Sequence, residues 1–315
     1  MITTVTLNPS IDREYFIDEL KVTKNQFIYN NNDLRVFPGG KGLLTAINLK
    51  NLGYHDVQNI GFIGGKQGLF FEKMVQEYKI TTNYIYTENE MRNNIKLITK
   101  NPPRSTQLND YTYKVNNKDV EELLKRFKRG IVNSDLIMIC GSIPEGVNFD
   151  IYKKMIAICN KLDKDVYLEA SGEVLNRALK EEPKLVIPYF KHTNKILDEE
   201  IKSFDDYIKA GKKLIAKGAQ YVMLPYHCNR LLFSGERVFC LSPEEFCIRN
   251  IVGAGDAYNA GFYDYIFVNG FDFLEANRYA GAASLIIAEE NKIFINSRDE
   301  IDRNLDRLII EELEV

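Results

Sequence analysis

The chain has 315 residues, of which 45% are hydrophobic and 27% are charged, and its formal net charge is −3. This length can bury a large core, so we expect one large α/β domain or a domain with an inserted piece. Lys and Arg are dispersed among the acids, which gives no electrostatic reason to expect nucleic acid or an anionic membrane as a partner.

The opening residues, 1–7, predict a strand. They lack the charged start and long apolar run of a secretion signal and are too short to cross a membrane, so we expect a cytoplasmic protein. The five cysteines are widely spaced without a Cys-x-x-Cys pair, and we interpret them as reduced, mostly buried thiols. Three histidines without a His-Glu-x-x-His motif argue against a structural zinc or a metallohydrolase.

A glycine-rich turn comes next, Pro38-Gly39-Gly40-Lys41-Gly42, and it leads into a helix-like stretch over residues 43–52 that ends at Gly53. A tight turn at a helix start directs backbone N–H groups and the positive end of the helix dipole toward one place. Lys41 adds a cation that can hold an anionic ligand.

Strands and helices alternate through most of the chain. Apolar runs predict buried strands at residues 59–63, 136–140, 166–168, 185–187 and 221–224. Helical patterns lie between them, for example at residues 120–127, 150–162 and 205–216. This alternation is typical of a mostly parallel sheet covered by helices on both faces.

Two stretches interrupt the alternation, residues 11–36 and residues 84–115. Both contain short alternating runs, such as Tyr15-Phe16-Ile17 and Ile95-Lys96-Leu97-Ile98, that could pair as a small separate sheet. Within the first stretch, Asn30-Asn31-Asn32 predicts a polar turn.

The segment Gly253-Ala254-Gly255-Asp256 is the most informative in the chain. Small residues at a predicted helix start let successive N–H groups converge, so an anion should bind there. A carboxylate beside an anion site makes sense if Asp256 takes a proton while a phosphoryl group is transferred nearby. Gly-x-Gly turns before helices are also common structural devices, and neither the dinucleotide-binding spacing nor a Walker-type motif is present.

These elements, with Leu7-Asn8-Pro9-Ser10-Ile11-Asp12-Arg13, resemble the ribokinase (PfkB) family of carbohydrate kinases. The opening of the chain is most similar to the phosphosugar branch, the 1-phosphofructokinases and tagatose-6-phosphate kinases. Further matches run the whole length of the chain: Arg92-Asn93-Asn94-Ile95-Lys96, Thr106-Gln107-Leu108-Asn109, Gly141-Ser142-Ile143-Pro144-Glu145-Gly146-Val147 and Ser171-Gly172-Glu173-Val174-Leu175.

The resemblance implies a three-layer αβα ribokinase-like sandwich over residues 1–315. The small sheet, from about 11–36 and 84–115, would be a lid over the sugar and could join two copies as a homodimer. The implied reaction transfers the γ-phosphoryl group of ATP to a hydroxyl of a ketohexose phosphate, of the tagatose 6-phosphate or fructose 1-phosphate type. Mg²⁺ would accompany the nucleotide phosphates, held largely through water and phosphate.

The same resemblance assigns roles to individual residues. Asp256 would be the catalytic base, and the backbone of Gly253, Ala254 and Gly255 would form the anion hole, with both glycines also close to the nucleotide. The expected sugar-phosphate ligands are Asp12, Gly39, Gly40, Lys41, Arg92 and Asn94. Among these, Lys41 and Arg92 would hold the phosphate.

The nucleotide side departs from the family pattern. In place of Lys-Pro-Asn-x-x-Glu stands Ile187-Pro188-Tyr189-Phe190-Lys191-His192, so Tyr189 replaces Asn and His192 replaces Glu, and a shifted register onto Asn194 ends at Leu197. The Ser-Leu-Gly-x-x-Gly turn appears as Pro225-Tyr226-His227-Cys228-Asn229-Arg230, without its glycines. Three further departures are Leu44 for Asn, Gln107 for Glu and Glu169 for Asp.

Two hypotheses therefore remain. One is an active phosphosugar kinase with a remodelled nucleotide pocket. The other is a sugar-phosphate-binding or regulatory protein that has lost efficient transfer. The presence of Gly253-Ala254-Gly255-Asp256 favours the kinase, because a carboxylate at an anion site opposes ligand binding unless it serves proton transfer.

Overall fold

The computed structural model describes residues 1–27, 33–189, 195–197, 199–248, 252–290 and 292–315. In chain order its strands are β1 (Ile2–Thr6), β2 (Ser10–Ile17), β3 (Leu34–Gly39), β4 (Val57–Gly64), β5 (Thr81–Thr87), β6 (Arg92–Lys100), β7 (Pro103–Asn109), β8 (Leu136–Cys140), β9 (Val166–Ala170), β10 (Leu185–Pro188), β11 (Lys195–Ile196), β12 (Glu199–Glu200), β13 (Tyr221–Tyr226), β14 (Asn229–Ser234), β15 (Arg237–Pro243) and β16 (Leu308–Leu313). The helices are α1 (Lys41–Asn51), α2 (Gly65–Glu77), α3 (Asn117–Gly130), α4 (Ile151–Asn160), α5 (Gly172–Ala178), α6 (Phe204–Ala216), α7 (Ala254–Asn269), α8 (Phe273–Glu289) and α9 (Arg298–Asp302).

A ten-stranded sheet forms the centre of the molecule, in the order β16-β15-β14-β13-β10-β9-β8-β1-β4-β5. Neighbours from β5 to β13 pair in parallel, and β13 to β16 pair antiparallel. Every residue of β4, β8, β9 and β10 is buried, as expected for strands with helices on both faces.

Two apolar clusters cover the faces of this sheet. One cluster collects side chains of α1, α2, α7, α8 and α9, and the other collects those of α3, α4, α5 and α6. The predicted mostly parallel, three-layer α/β sandwich is therefore confirmed. No helix in the described ranges is long and apolar enough to span a membrane.

The small separate sheet is present and has the order β3-β2-β6-β7. It contains fewer residues than the predicted segments 11–36 and 84–115. Thr81–Thr87 is instead the edge strand of the main sheet, and Tyr113 and Val115 pack in an apolar cluster on that sheet. The predicted turn at Asn30-Asn31-Asn32 lies outside the described residues. The expected contact between two copies through this sheet stays a prediction.

The register of the small sheet brings distant sequence motifs together. β2 pairs in parallel with β6, so that Ser10 lies opposite Arg92 and Asp12 opposite Asn94. On its other side β2 pairs antiparallel with β3, which sets Ser10 opposite Gly39. This end of the small sheet leads directly into α1.

The cysteines are free thiols, but fewer are buried than the sequence predicts. Cys140 and Cys159 are buried, Cys228 and Cys240 are half-buried, and Cys247 is exposed.

Candidate active site

The start of α7 holds the segment that the sequence singles out. Gly253 is the N-cap residue with φ +82°, and a Cβ there would lie 2.6 Å from the carbonyl oxygen of Ile293, so the turn requires glycine. No described side chain caps this helix, and a Cβ added at Gly255 would meet no described atom within 4 Å. The first turn of a helix carries N–H groups without intrahelical partners. In α7 this turn borders open space at Gly255.

Asp256, in that first turn, is buried, and its Oδ1 has no hydrogen-bond partner among the described residues. Burial raises the pKa of its carboxyl to about 7; Lys41 opposes this shift, while Glu169 and Asp12 add to it. A carboxylate held beside a reacting group can act as a base even with an ordinary pKa. The Asp256 carboxylate is more basic than that. Asp256 can therefore accept a proton from a ligand that reaches Oδ1.

Lys41 is the first residue of α1, and the N-cap residue before it, Gly40, has φ +130°. Its Nζ lies 2.6 Å from Oε1 of Glu169, and Glu169 Oε2 accepts a hydrogen bond of 2.9 Å from Asn259, one turn beyond Asp256 on α7. Burial lowers the pKa of Lys41, but the charges of Glu169 and Asp256 outweigh it and hold the pKa above its usual value. Lys41 is therefore a cation paired with Glu169 and further stabilised by the charge of Asp256.

Glu169 contacts both Lys41 and Asn259, but the sequence assigns neither Glu169 nor Asn259 to the site. In the sequence Glu169 stands out only as a departure from Asp. A signal was available, since Glu169 lies near the carboxyl end of a buried parallel strand, the edge of an open α/β sheet where ligands bind. No comparable signal marks Asn259, which lies inside a helix.

A second polar cluster forms at the end of the small sheet. Asp12 Oδ1 accepts hydrogen bonds from Ser10 Oγ at 2.7 Å and Asn94 Nδ2 at 2.8 Å, and Arg92 Nη2 donates to Asn94 Oδ1 at 3.1 Å. Burial raises the pKa of Asp12, against which these two hydrogen bonds act. Gly39 allows the close approach, because a Cβ there would lie 2.2 Å from Asp12 Oδ2.

These groups border a cavity of about 270 Å³, the first cavity, with a lining of Thr6, Asn8, Ser10, Asp12, Gly40, Lys41, Leu44, Arg92, Asn94, Cys140, Gly141, Ser142 and Tyr189. Of the six residues predicted on the sugar side, all line it except Gly39, which lies beside the Asp12 carboxylate. Arg92 Nε is buried beside the cavity with no partner among the described residues. A buried donor of this kind is suited to an anionic ligand.

A second cavity, of about 200 Å³, also borders the start of α7. Its lining is His227, Cys228, Arg230, Leu241, Pro243, Phe246, Ile248, Ala254, Gly255, Tyr258, Gly281, Ser284, Leu285, Ala288 and Leu308. Ala254 and Gly255 face this cavity, whereas the next residue, Asp256, interacts electrostatically with Lys41 of the first cavity. The first turn of α7 therefore lines the largely apolar second cavity and interacts, through Asp256, with a cation of the first.

The model of the pfkB family carbohydrate kinases matches residues 6–298 of the chain. The chain belongs to this family. It is therefore a carbohydrate kinase, an enzyme that transfers a phosphoryl group to an alcohol acceptor, and the resemblance found in the sequence is confirmed.

Individual relatives agree with this assignment. The 1-phosphofructokinase of Bacillus subtilis (strain 168) is 30% identical over 266 residues, which cover 83% of this chain and 84% of that protein. The 1-phosphofructokinase of Borreliella burgdorferi is 29% identical over 292 residues, with 91% and 92% covered.

Solved structures share the fold. A possible 1-phosphofructokinase from Thermotoga maritima superposes with a TM-score of 0.92 at 30% identity over 99% of both chains. Phosphofructokinase-2 from Escherichia coli gives a TM-score of 0.85 at 21% identity, over 97% of this chain and 98% of that one, which supports the fold alone.

Among the described residues that depart from the pfkB pattern, some line the first cavity and others line the second. Tyr189, expected on the nucleotide side, lines the first cavity, and its ring centre lies 5.0 Å from Lys41 Nζ. Leu44 lines the same cavity. His227 takes φ +51°, a backbone conformation that favours glycine, and borders the second cavity. His192 and Asn194 lie outside the described residues.

Proposed function

We propose that the protein is a 1-phosphofructokinase-like sugar-phosphate kinase that transfers the γ-phosphoryl group of ATP to a hydroxyl of a ketohexose phosphate, with fructose 1-phosphate as the first candidate. The observation that carries this proposal is the buried, unpartnered Oδ1 of Asp256, in a helix turn whose Ala254 and Gly255 line the second cavity and whose carboxylate interacts with Lys41 of the first. The names of the relatives support the choice of sugar phosphate.

In this proposal the sugar phosphate binds in the first cavity. Asp12 and Asn94 bind sugar hydroxyls, and the unpartnered Nε of Arg92 binds the phosphate already present. Lys41, bound to Glu169, adds positive charge near Asp256. Of the two residues expected to hold the sugar phosphate, Arg92 would then be the main ligand. Lys41 would lie closer to the reacting groups.

The transfer step follows from the first turn of α7. The attacking hydroxyl gives its proton to Asp256 as its oxygen bonds to the γ-phosphorus, and the bond from that phosphorus to ADP breaks. Backbone N–H groups of residues 253–256 stabilise the charge on the transferred oxygens. The base needs position more than strength, since the proton leaves late in a loose transition state.

ATP would place its phosphates at the start of α7 and its base in the second cavity. Mg²⁺ would neutralise phosphate charge. The described residues contain no group of three His, Cys, Asp or Glu side chains that could hold a metal ion, so we assign Mg²⁺ to the nucleotide phosphates and water.

The alternative is a sugar-phosphate-binding regulatory protein. One observation favours it: side chains of His227, Cys228 and Arg230 occupy the hairpin where the family pattern has glycines. These side chains would narrow the approach of a nucleotide.

A paired binding and turnover experiment tests the proposal. Thermal shifts are measured for fructose 1-phosphate, tagatose 6-phosphate and fructose, with and without Mg-ATP, and ADP release is followed in the same mixtures. We expect stabilisation by one phosphosugar, a further shift with nucleotide, and ADP formation. Stabilisation by a phosphosugar with no nucleotide binding and no ADP would establish the regulatory alternative.

A further inference from the structure

The walls of the second cavity are largely apolar, and the hairpin between β13 and β14 contributes most of its polar side chains. In this hairpin Tyr226 pairs with Asn229, and Arg230 follows as the second residue of β14. Arg230 lines the cavity together with Ala254 and Gly255 from the start of α7. A guanidinium group and a helix N-terminus, both positive, therefore border the same small space.

The charge of Arg230 is not neutralised within the described residues. Its Nε is buried without an acceptor, Nη1 donates to the carbonyl oxygen of neighbouring Asn229 at 2.9 Å, and among the described residues no carboxylate interacts with it. Burial lowers the pKa of Arg230, and electrostatic interactions with Tyr258 and Cys228 oppose this shift. A cation withdrawn from water without a counter-ion is costly, and an anionic ligand in the cavity would remove that cost.

Arg230 is also held in place before any ligand binds. Its guanidinium carbon lies 5.2 Å from the ring centre of Tyr258, a residue of α7. The hydroxyl of Tyr258 donates to Asn277 on α8, and Asn277 Nδ2 donates to the carbonyl oxygen of Phe273 at 2.6 Å. Stacking on a fixed ring limits the guanidinium to one direction, so less freedom is lost on binding.

We infer that Arg230 binds a phosphate group of the nucleotide and supplies, through a side-chain cation, the anion contact that a glycine turn would make through its backbone. The planar guanidinium fork fits phosphate oxygens, whereas Leu241, Phe246 and Ile248 offer apolar surface for a base. The inference rests on the proposed function. It reverses the expectation that side chains in this hairpin only obstruct the nucleotide.

Calorimetric titration with ADP and adenosine separates this role from a purely structural one. For Arg230→Gln we expect ADP affinity to fall roughly 10- to 100-fold, because a charge-assisted contact is lost, while adenosine affinity changes less than about 3-fold. The KM for ATP should rise by a similar factor with a smaller change in kcat. Arg230→Lys keeps the charge but loses the planar fork, so its ADP affinity should lie between those of the wild type and Arg230→Gln.

The matched control is Arg237→Gln. Arg237 lies on the adjacent strand β15, is exposed, and pairs with Glu312 through Nη2 and Oε2 at 2.7 Å. This variant should bind ADP as the wild type does. Fructose 1-phosphate binding by Arg230→Gln should equal that of the wild type, which shows that the variant is folded.

The outcomes are distinguishable. Equal losses for ADP and adenosine, or no loss for either, would overturn the phosphate assignment while nucleotide binding itself stands. A wild-type chain that binds neither ADP nor ATP would instead refute the proposed function, and this inference with it.

Discussion

Replacing Asp256 by asparagine should nearly abolish turnover and, at pH 8, stabilise the folded chain. Burial raises the pKa of the carboxyl from 3.8 to about 7. One pKa unit corresponds to about 1.4 kcal/mol, so an ionised Asp256 lowers the free energy of unfolding at pH 8 by about 4 kcal/mol. Asparagine keeps the shape and carries no charge, which removes this cost.

The sign of the pH dependence follows from the raised pKa. The folded state binds the proton more tightly than the unfolded chain, so the stability that this proton provides is fully present below the unfolded pKa of 3.8 and is lost as pH rises through about 7. The gain from Asp256→Asn should therefore be about 4 kcal/mol at pH 8 and only about 2 kcal/mol at pH 5.

Urea unfolding at both pH values, with turnover at pH 8, tests this prediction. A factor on the order of 10²–10⁴ should be lost from kcat, the usual contribution of a general base. Asp264→Asn on the same helix is the matched control. Asp264 is buried but bound by Arg298, with Nη2 to Oδ1 at 2.6 Å, so its substitution should destabilise at both pH values.

Two results would refute the reasoning. If Asp256→Asn destabilises the chain as Asp264→Asn does, the carboxylate is not an uncompensated charge in the folded protein. If its turnover stays near that of the wild type, Asp256 is not the base.

Three further predictions concern the first cavity. Arg92→Ala should weaken fructose 1-phosphate binding roughly 10- to 100-fold and fructose binding much less, measured by calorimetry; equal losses would remove Arg92 as a phosphate ligand. Glu169→Gln removes a charge that raises the pKa of Asp256, so the acid limb of the kcat/KM profile should move to lower pH, and an unchanged or higher midpoint would contradict this. Gly39→Ala should raise the KM for the sugar phosphate but not for ATP, because its Cβ would meet the Asp12 carboxylate at 2.2 Å; unchanged kinetics would show that this approach is unnecessary.

Local sequence signals were sufficient for the framework of the fold. Wholly buried strands such as Leu136–Cys140 appear in sequence as continuous apolar runs, since both faces of the sheet are covered. The starts of α1 and α7 were equally evident, because Gly40 and Gly253 adopt positive φ angles that favour glycine. Each of these features depends on residues adjacent in the chain.

Features that depend on side-chain direction or on sheet order could not be predicted in this way. The ion pair between Lys41 and Glu169 joins residues 128 positions apart, and either could have faced solvent as far as the sequence shows. Tyr189 follows a strand whose carboxyl end borders the site, but only the packed structure places its ring beside Lys41. The antiparallel extension of the sheet to β16 also joins distant segments.

Burial is the main cause of the raised pKa of Asp256, and the charges around the first cavity modify it. The carboxylates of half-buried Asp12 and of buried Glu169 and Asp256 lie with two cations, Lys41 and Arg92, so these five groups sum to a net negative charge before a phosphosugar binds when all are ionised. Such an excess is unfavourable for stability. Within this cluster Glu169 and Asp12 raise the pKa of Asp256 beyond the effect of burial, and Lys41 lowers it. A bound phosphosugar adds further negative charge, so proton affinity at Asp256 should be greatest when the attacking hydroxyl is present.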